Sequence, residues 1–330
     1  MKRRHEYPCA AGAPRASGAL ASLVLVLTAI AACSGDAPPA DPGDTSSGIS
    51  LTVGEATSQE GGMKFDVGIG EGSTVGDDGV LDSGCKRVDV LIAIDNSSSM
   101  TEEIEALAGP VFDSFPQALL DVNNGLDDFQ LGVIDACNAP PFLHDTGVPG
   151  ACGYSTGNNF MSSTSPALLT EYQCATQLTT AGFGGQQDDC SGDNDDEQPA
   201  NTAADAVSAP AVTMENNGFV RDDAVLFVVA ITDEDEQPTP QQTAQQIADK
   251  LIAAKGTIDN VVFLGIGGDS ECAGPYGGAE EAAQLREVAE IFAAANRGVF
   301  WDLCQGDLEA AFQTALETVD SACSDFEPVG

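Results

Sequence analysis

From Cys85 onward the chain alternates between two hydrophobic patterns. Short continuous apolar runs occur at Val88–Ile94, Phe129–Ile134, Ala224–Ile231, Asn260–Ile266 and Val299–Leu303. Runs of this length, predominantly apolar and without strict alternation, predict strands buried on both faces. Between and after them, apolar residues recur at helical spacing. Thr101–Leu120 places Ile104, Leu107, Val111, Phe115 and Leu119 on one side, and Pro110 and Pro116 are expected to bend or split that helix. Ala200–Ala209 and Pro240–Ala254 read as helices. Glu280–Ala295 does too, with Leu285, Val288, Ala289 and Phe292 inward. A closing helix over Asp307–Ala322 turns Leu308, Phe312, Ala315, Leu316 and Val319 to the core. Strands alternating with helices predict an α/β, Rossmann-like, doubly wound and mostly parallel sheet flanked by helices. The pattern covers residues 85–323, a suitable length for one domain, and leaves 324–330 as a short tail. Residues 137–198 interrupt it with Gly, Ser, Thr, Asn, Asp and four cysteines, and read as a disulfide-rich insertion.

The front of the chain follows different rules. Lys2, Arg3 and Arg4 precede an apolar stretch, Ala19–Ile30, that is too short to span a membrane. It runs into Ile30-Ala31-Ala32-Cys33. Small residues directly before a cysteine resemble a bacterial lipobox. That resemblance implies a signal peptide over 1–33, lipidation of Cys33 as the first mature residue, and a membrane anchor of several acyl chains. Ser34 rather than Asp at the next position implies, by the sorting rule of such signals, the outer membrane. The alternative is an ordinary secretory signal. Residues 34–84 are rich in Gly, Ser, Thr, Asp and Pro and predict a flexible low-complexity linker spanning on the order of 40 Å.

Residues 1–33 hold four of the twelve Lys/Arg and one of the 52 Asp/Glu. The remainder therefore carries 8 minus 51, a formal charge of −43. Phosphate recognition needs clustered Lys and Arg, so nucleic acid is excluded as a partner, while divalent cations are favoured. Beyond Cys9 and Cys33, eight cysteines remain: Cys85, Cys137, Cys152, Cys174, Cys190, Cys272, Cys304 and Cys323. An even number in an exported chain without a CxxC motif predicts disulfides rather than thiolate metal sites. Nearest-neighbour pairing is expected, with Cys85–Cys323 closing the ends of the domain.

Two of the predicted strands finish in oxygen-bearing residues. RVDVLIAIDNSSSM, Arg87–Met100, ends at Asp95, Ser97 and Ser99, and AITDEDE, Ala230–Glu236, ends at Asp233. In an open parallel sheet ligands bind beyond the carboxyl ends of the strands. Convergence of these two ends would build a hard, all-oxygen site suited to Mg²⁺, Ca²⁺ or Mn²⁺ and not to Zn²⁺. Asp-x-Ser-x-Ser at a first strand end, with Thr-Asp closing a later strand, resembles von Willebrand factor A and integrin inserted domains. The resemblance implies a metal-ion-dependent adhesion site formed by Asp95, Ser97, Ser99 and Asp233. A third hydroxyl would come from the loop before the helix preceding the third strand. Ser191 is the first candidate there and Thr202 the second, and Asp193 or Asp195 could substitute. The family usually has Gly after its second Asp. Here Glu234, Asp235 and Glu236 follow, and would repel an acidic ligand.

Read without a cation, Ser99 would cap the helix that follows, with Glu102 completing a capping box. The acidic cluster Asp188, Asp189, Asp193, Asp195, Asp196 and Glu197 reads equally as a solvated loop or a structural Ca²⁺ site. Catalysis has little support. His144 is the one histidine beyond the signal, Gly265–Ser270 reads as a turn, and no nucleophile elbow or phosphate loop is present. The expectation is a non-enzymatic, surface-anchored lipoprotein that binds a protein or surface-polymer ligand through its metal site. The alternatives are an envelope scaffold with a structural metal, and a metal-assisted hydrolase.

Overall fold

The computed structural model describes residues 84–95, 97–136, 143, 154–177, 197–236 and 242–326, all within the unit that spans residues 73–330. The expected signal segment, Cys33 and the linker lie outside the described residues, as do Cys137, Cys152, Cys190 and Ser191. The apolar runs form strands β1 (Arg87–Ile94), β2 (Asp128–Asp135), β4 (Val225–Ile231), β5 (Val261–Gly267) and β8 (Gly298–Asp302). A two-residue strand β3 (Met161–Ser162) adds an antiparallel edge to β2. The six strands run in the order β3-β2-β1-β4-β5-β8, and the other pairs are parallel. The order reverses direction between β1 and β4, which makes the crevice beyond their carboxyl ends the expected ligand position of such a sheet.

Helices cover both faces. On one lie α1 (Thr101–Ala106), α2 (Phe112–Leu120), α3 (Leu168–Gln177) and α7 (Leu308–Ser324). On the other lie α4 (Pro199–Ala206), α5 (Ala244–Lys255) and α6 (Ala283–Ala293). Strand β1 serves both: Val88, Val90, Ile92 and Ile94 face the first layer, and Leu91 and Ala93 the second. That two-sided burial is why β1, β4 and β5 read as continuous apolar runs. The edge strand β8 is only half-buried along its length.

The long helix expected over 101–120 is divided. A π-helical turn, Leu107–Val111, separates α1 from α2, and Gly109 leaves helical geometry at φ −116°, ψ −118°. Pro110 has no N–H to continue the ladder there. Pro116 is retained inside α2. Helix α5 opens on a capping box between Thr243 and Gln246 and stops at Gly256 in the left-handed conformation. Three elements fell outside the hydrophobic pattern: β3 and α3, both in the insertion, and a hairpin of β6 (Cys272–Gly274) and β7 (Gly277–Ala279). Cys85 is bonded to Cys323 and Cys272 to Cys304, and Cys174 is also disulfide-bonded. The first bond ties the start of β1 to the end of α7.

The amino end of the sheet is sealed by a buried ion pair. Asp89 within β1 is fully buried. It accepts from the Arg221 backbone N–H and from Arg221 Nε, each at 2.7 Å. Arg221 also reaches Asp128 at 2.6 Å and the Val88 carbonyl at 3.1 Å, and the buried Lys255 ammonium donates to the Arg221 carbonyl. Burial pushes the Asp89 carboxyl up to about 6 while Arg221 pulls it back. Arg221→Ala would strand that carboxylate and is expected to lower the unfolding free energy by about 3–5 kcal/mol. Urea denaturation at neutral pH measures this, and a loss below about 1 kcal/mol would show that the pair does not hold the sheet end.

Candidate metal centre

At the opposite end of β1, about 20 Å away along the strand, the chain leaves the sheet at Asp95. Its backbone N–H still donates to Ile231 of β4 at 2.9 Å, so the two strand ends are locked side by side. The Asp95 carboxylate is fully buried. It accepts from the Ser97 N–H at 2.7 Å and from the Thr232 hydroxyl at 2.7 Å. Ser97 and Ser99 pair hydroxyl to hydroxyl at 2.8 Å, and the Ser99 hydroxyl donates to Asp233 Oδ1 at 3.2 Å. Asp95, Ser97, Ser99, Thr232 and Asp233 thus form one hydrogen-bonded network across the β1/β4 crevice, joined at Ser97 through its backbone N–H. Its position follows from topology: both acidic residues come directly off adjacent parallel strands at the reversal point.

The hydroxyls are not helix caps. The residue preceding the short 3₁₀ turn Ser98–Met100 is Ser97, and the one preceding α1 is Met100. Neither makes a side-chain capping bond. The capping box proposed between Ser99 and Glu102 does not form.

Of the two candidates for a third hydroxyl, Ser191 lies outside the described residues. Thr202 sits on α4, buried, and donates to the Ala136 carbonyl at 2.8 Å. What the same loop brings toward the site is Glu197. It is buried, and its carboxyl is pushed up by burial and by the negative charges of Asp95, Glu234 and Asp233. Glu236 is buried behind it, with Oε1 accepting from the Ala200 N–H at 3.0 Å and Oε2 unpartnered. Glu103 of α1 is also buried with an unpartnered Oε2, and interacts with Asp233 and Asp95. Sequence reading missed Glu103 and gave Glu197 only to a diffuse acidic loop.

Burial of so many carboxylates holds their protons on. Burial pushes Asp95 up to about 6, opposed by the Ser97 N–H and the Thr232 hydroxyl. Glu103 rises to about 7 and Glu236 to about 8, both chiefly by burial and then by neighbouring negative charge. Asp233 and Glu197 shift the same way, again mainly through burial. The donor set is all oxygen and acidic, and two further carboxylate oxygens nearby, Oε2 of Glu103 and of Glu236, are buried without a partner. It fits a hard divalent cation held by Asp95, Ser97, Ser99 and Asp233. Among the described residues, the three acid, His or Cys side chains that lie close enough to one another to hold a metal ion are Cys272, Asp302 and Cys304, on the β6–β7 side, and not the acids of the crevice. Their two sulfurs are bonded to each other, so they offer no thiolates.

No family model and no curated protein matches this chain. Among solved structures it is similar to proximal thread matrix protein 1 from the mussel byssus. The identity is 16% and the TM-score 0.35, over 73% of this chain and 49% of that one. It is also similar to the manganese-loaded TRAP protein of Plasmodium vivax, at 13% identity and a TM-score of 0.34, over 72% of this chain and 74% of that one. The chain spans about half the length of the mussel protein. Likenesses at this level add nothing to the strand order read from the sheet itself.

Each shifted acid at the site binds its proton more tightly in the folded chain than in the unfolded one, where it titrates near its ordinary value of 3.8 or 4.5. The stability this contributes is complete below about pH 4 and is lost as pH rises through the folded values of about 6 to 8. In chelator, the melting temperature is therefore expected to fall between pH 5 and 8, and added Ca²⁺ or Mg²⁺ at pH 8 to restore it. A chelated melting temperature that holds steady or rises over that range would contradict this electrostatic account.

Proposed function

We propose that this is a von Willebrand A-type domain protein, anchored to the cell envelope through a lipidated Cys33, that binds a protein or surface polymer through a divalent cation at Asp95, Ser97, Ser99 and Asp233. The observation that carries this reading is the hydrogen-bonded chain from the Thr232 hydroxyl through Asp95 and the Ser97 backbone N–H, and from the paired Ser97 and Ser99 hydroxyls to Asp233, in which neither serine caps a helix. A bound cation would supply positive charge and a coordination position for an oxygen of the partner. Asp95 is fixed on two sides by the Ser97 N–H and the Thr232 hydroxyl, so its carboxylate is oriented before any ion arrives. Ser99 is exposed, which leaves the solvent side of the site open to a partner. The role is binding rather than catalysis. The surrounding acids favour a partner that does not present an isolated carboxylate. Anchoring at the outer membrane follows from the lipobox and Ser34.

Calorimetric titration of the protein with Ca²⁺, Mg²⁺ and Mn²⁺ tests the site. Wild type is expected to bind at least one of them, with Asp95→Ala and Ser97→Ala/Ser99→Ala weakening it by about tenfold or more. If wild type takes up no cation, the binding mechanism is wrong. Cys33→Ser tests the anchor separately: it is expected to move the protein from the membrane fraction to the soluble one. A variant that stays with the membrane would remove lipidation from the account.

A further inference from the structure

Outside the crevice, the β6–β7 hairpin and the turn that follows β8 bring two sulfurs and a carboxylate together. Sγ of Cys272, Sγ of Cys304 and a carboxylate oxygen of Asp302 all lie within 4.8 Å of one another. Asp302 is set in place by backbone groups: its Oδ1 accepts from the Cys304 N–H at 3.2 Å and from the Asp269 N–H at 3.3 Å. Trp301 Nε1 closes the same turn by donating to the Gly306 carbonyl at 3.0 Å. The hairpin meets this turn with no room for a side chain between them, since a Cβ on Gly274 would lie 2.6 Å from Cys304 Cα. None of these contacts needs the sulfur–sulfur bond, so they keep the two cysteines adjacent when it opens. The disulfides also differ in access. Cys85 and Cys323 are 1% and 0% exposed, whereas Cys272 and Cys304 are both partly exposed. A thiol in solution reaches the second bond and not the first.

We propose that Cys272, Cys304 and Asp302 form a redox-gated Zn²⁺ site, closed while the sulfurs are bonded to each other and opened by a dithiol reductant. The dithiol supplies two electrons and two protons: the Cys272–Cys304 bond breaks, two thiols form, and the reductant leaves as its own disulfide. Zn²⁺ then takes the place of the two thiol protons, which pass to solvent. The geometry suits a tetrahedral ion. Zn–S near 2.3 Å and Zn–O near 2.0–2.2 Å put neighbouring ligand atoms about 3.6–3.8 Å apart. Cys272 Sγ already lies 4.0 Å from Asp302 Oδ1. The cysteine Cα atoms are 6.2 Å apart, so rotation of the side chains separates the sulfurs without moving the backbone. Three protein ligands leave the fourth position to water. Sulfur donors select Zn²⁺, whereas the crevice offers only hard oxygens, and this site does not rest on the reading of the crevice. The hairpin stays tethered in both states, by a covalent bond when oxidised and by the ion when reduced, and only the reduced, metal-free protein releases it.

The test uses the full-length protein, oxidised and after mild dithiol reduction, with Co²⁺ as a coloured stand-in for Zn²⁺. Reduced wild type is expected to show thiolate-to-cobalt charge transfer in the near ultraviolet, bleached by added Zn²⁺, and oxidised wild type to show none. Cys272→Ser/Cys304→Ser should bind one equivalent of Co²⁺ less than reduced wild type, which separates this site from cysteines elsewhere in the chain. Asp302→Asn keeps an oxygen acceptor for both backbone N–H groups and should lose about tenfold or more in Zn²⁺ affinity. A further readout needs no variant. Alkylation followed by mass spectrometry should label Cys272 and Cys304 before Cys85 and Cys323, and Zn²⁺ should protect Cys272 and Cys304 from labelling. The site is overturned if the dithiol leaves the Cys272–Cys304 bond intact in the folded protein, if Zn²⁺ gives no protection, or if the serine variant binds as much Co²⁺ as reduced wild type. Wild-type Zn²⁺ affinity in Asp302→Asn would overturn the part given to the carboxylate.

Discussion

A buried carboxylate at a strand end, held by one backbone N–H and one hydroxyl, is the constraint on which the crevice of this molecule depends. Asp95 is held at the end of a strand that is buried on both faces, in the crevice where the sheet changes direction. Its neighbours are hydroxyls, backbone N–H groups and other acids. Hydrogen bonds from Ser97 and Thr232 orient the group, but they do not neutralise it.

The other end of the same strand shows how the fold treats a buried acid when no ligand is intended. Asp89 is as buried as Asp95, yet Arg221 meets it with two bonds and Lys255 sits behind the Arg221 carbonyl. One strand thus carries two buried aspartates, one closed by the chain's own arginine and one left facing carboxylates. A protein whose acids far outnumber its bases places scarce arginine at the structural end, and among the described residues no ion pair involves Asp95 or Asp233. The contrast argues against reading the crevice as ordinary acidic surface.

The rest of the architecture keeps the crevice in register. The Asp95 N–H bonded to Ile231 fixes β1 against β4, and the Glu280 N–H donating to the Asp233 carbonyl at 2.7 Å pins the second strand end to the segment after the β6–β7 hairpin. Close approach there depends on Gly268, where a Cβ would lie 1.9 Å from the Glu280 carbonyl oxygen. The Cys272–Cys304 bond holds that hairpin to the turn before α7, and the Cys85–Cys323 bond holds the end of α7 to the start of β1. Cross-links of this kind restrict the unfolded chain, and also limit how far elements around the site can separate.

Local pattern was enough to determine the strands, the helices and their parallel arrangement. Continuous apolar runs such as Val225–Ile231 follow from burial on two faces, and the Pro110 break follows from a missing donor. Asp95, Ser97, Ser99 and Asp233 were legible as oxygen donors because each sits just beyond a strand end, where the sheet's topology exposes them. The elements β3, α3 and β6–β7 were not legible, being too short or too weakly periodic to leave a hydrophobic signature. Tertiary structure alone decided the partners across the crevice. Glu103, Glu197 and Glu236 come from three different segments and acquire their meaning only where burial removes water from all of them at once. Thr202 and Glu197 lie five residues apart, and sequence ranked the hydroxyl. Packing of α4 turned that hydroxyl to the Ala136 carbonyl, because a helix's rotation about its axis is set by what its apolar face must bury.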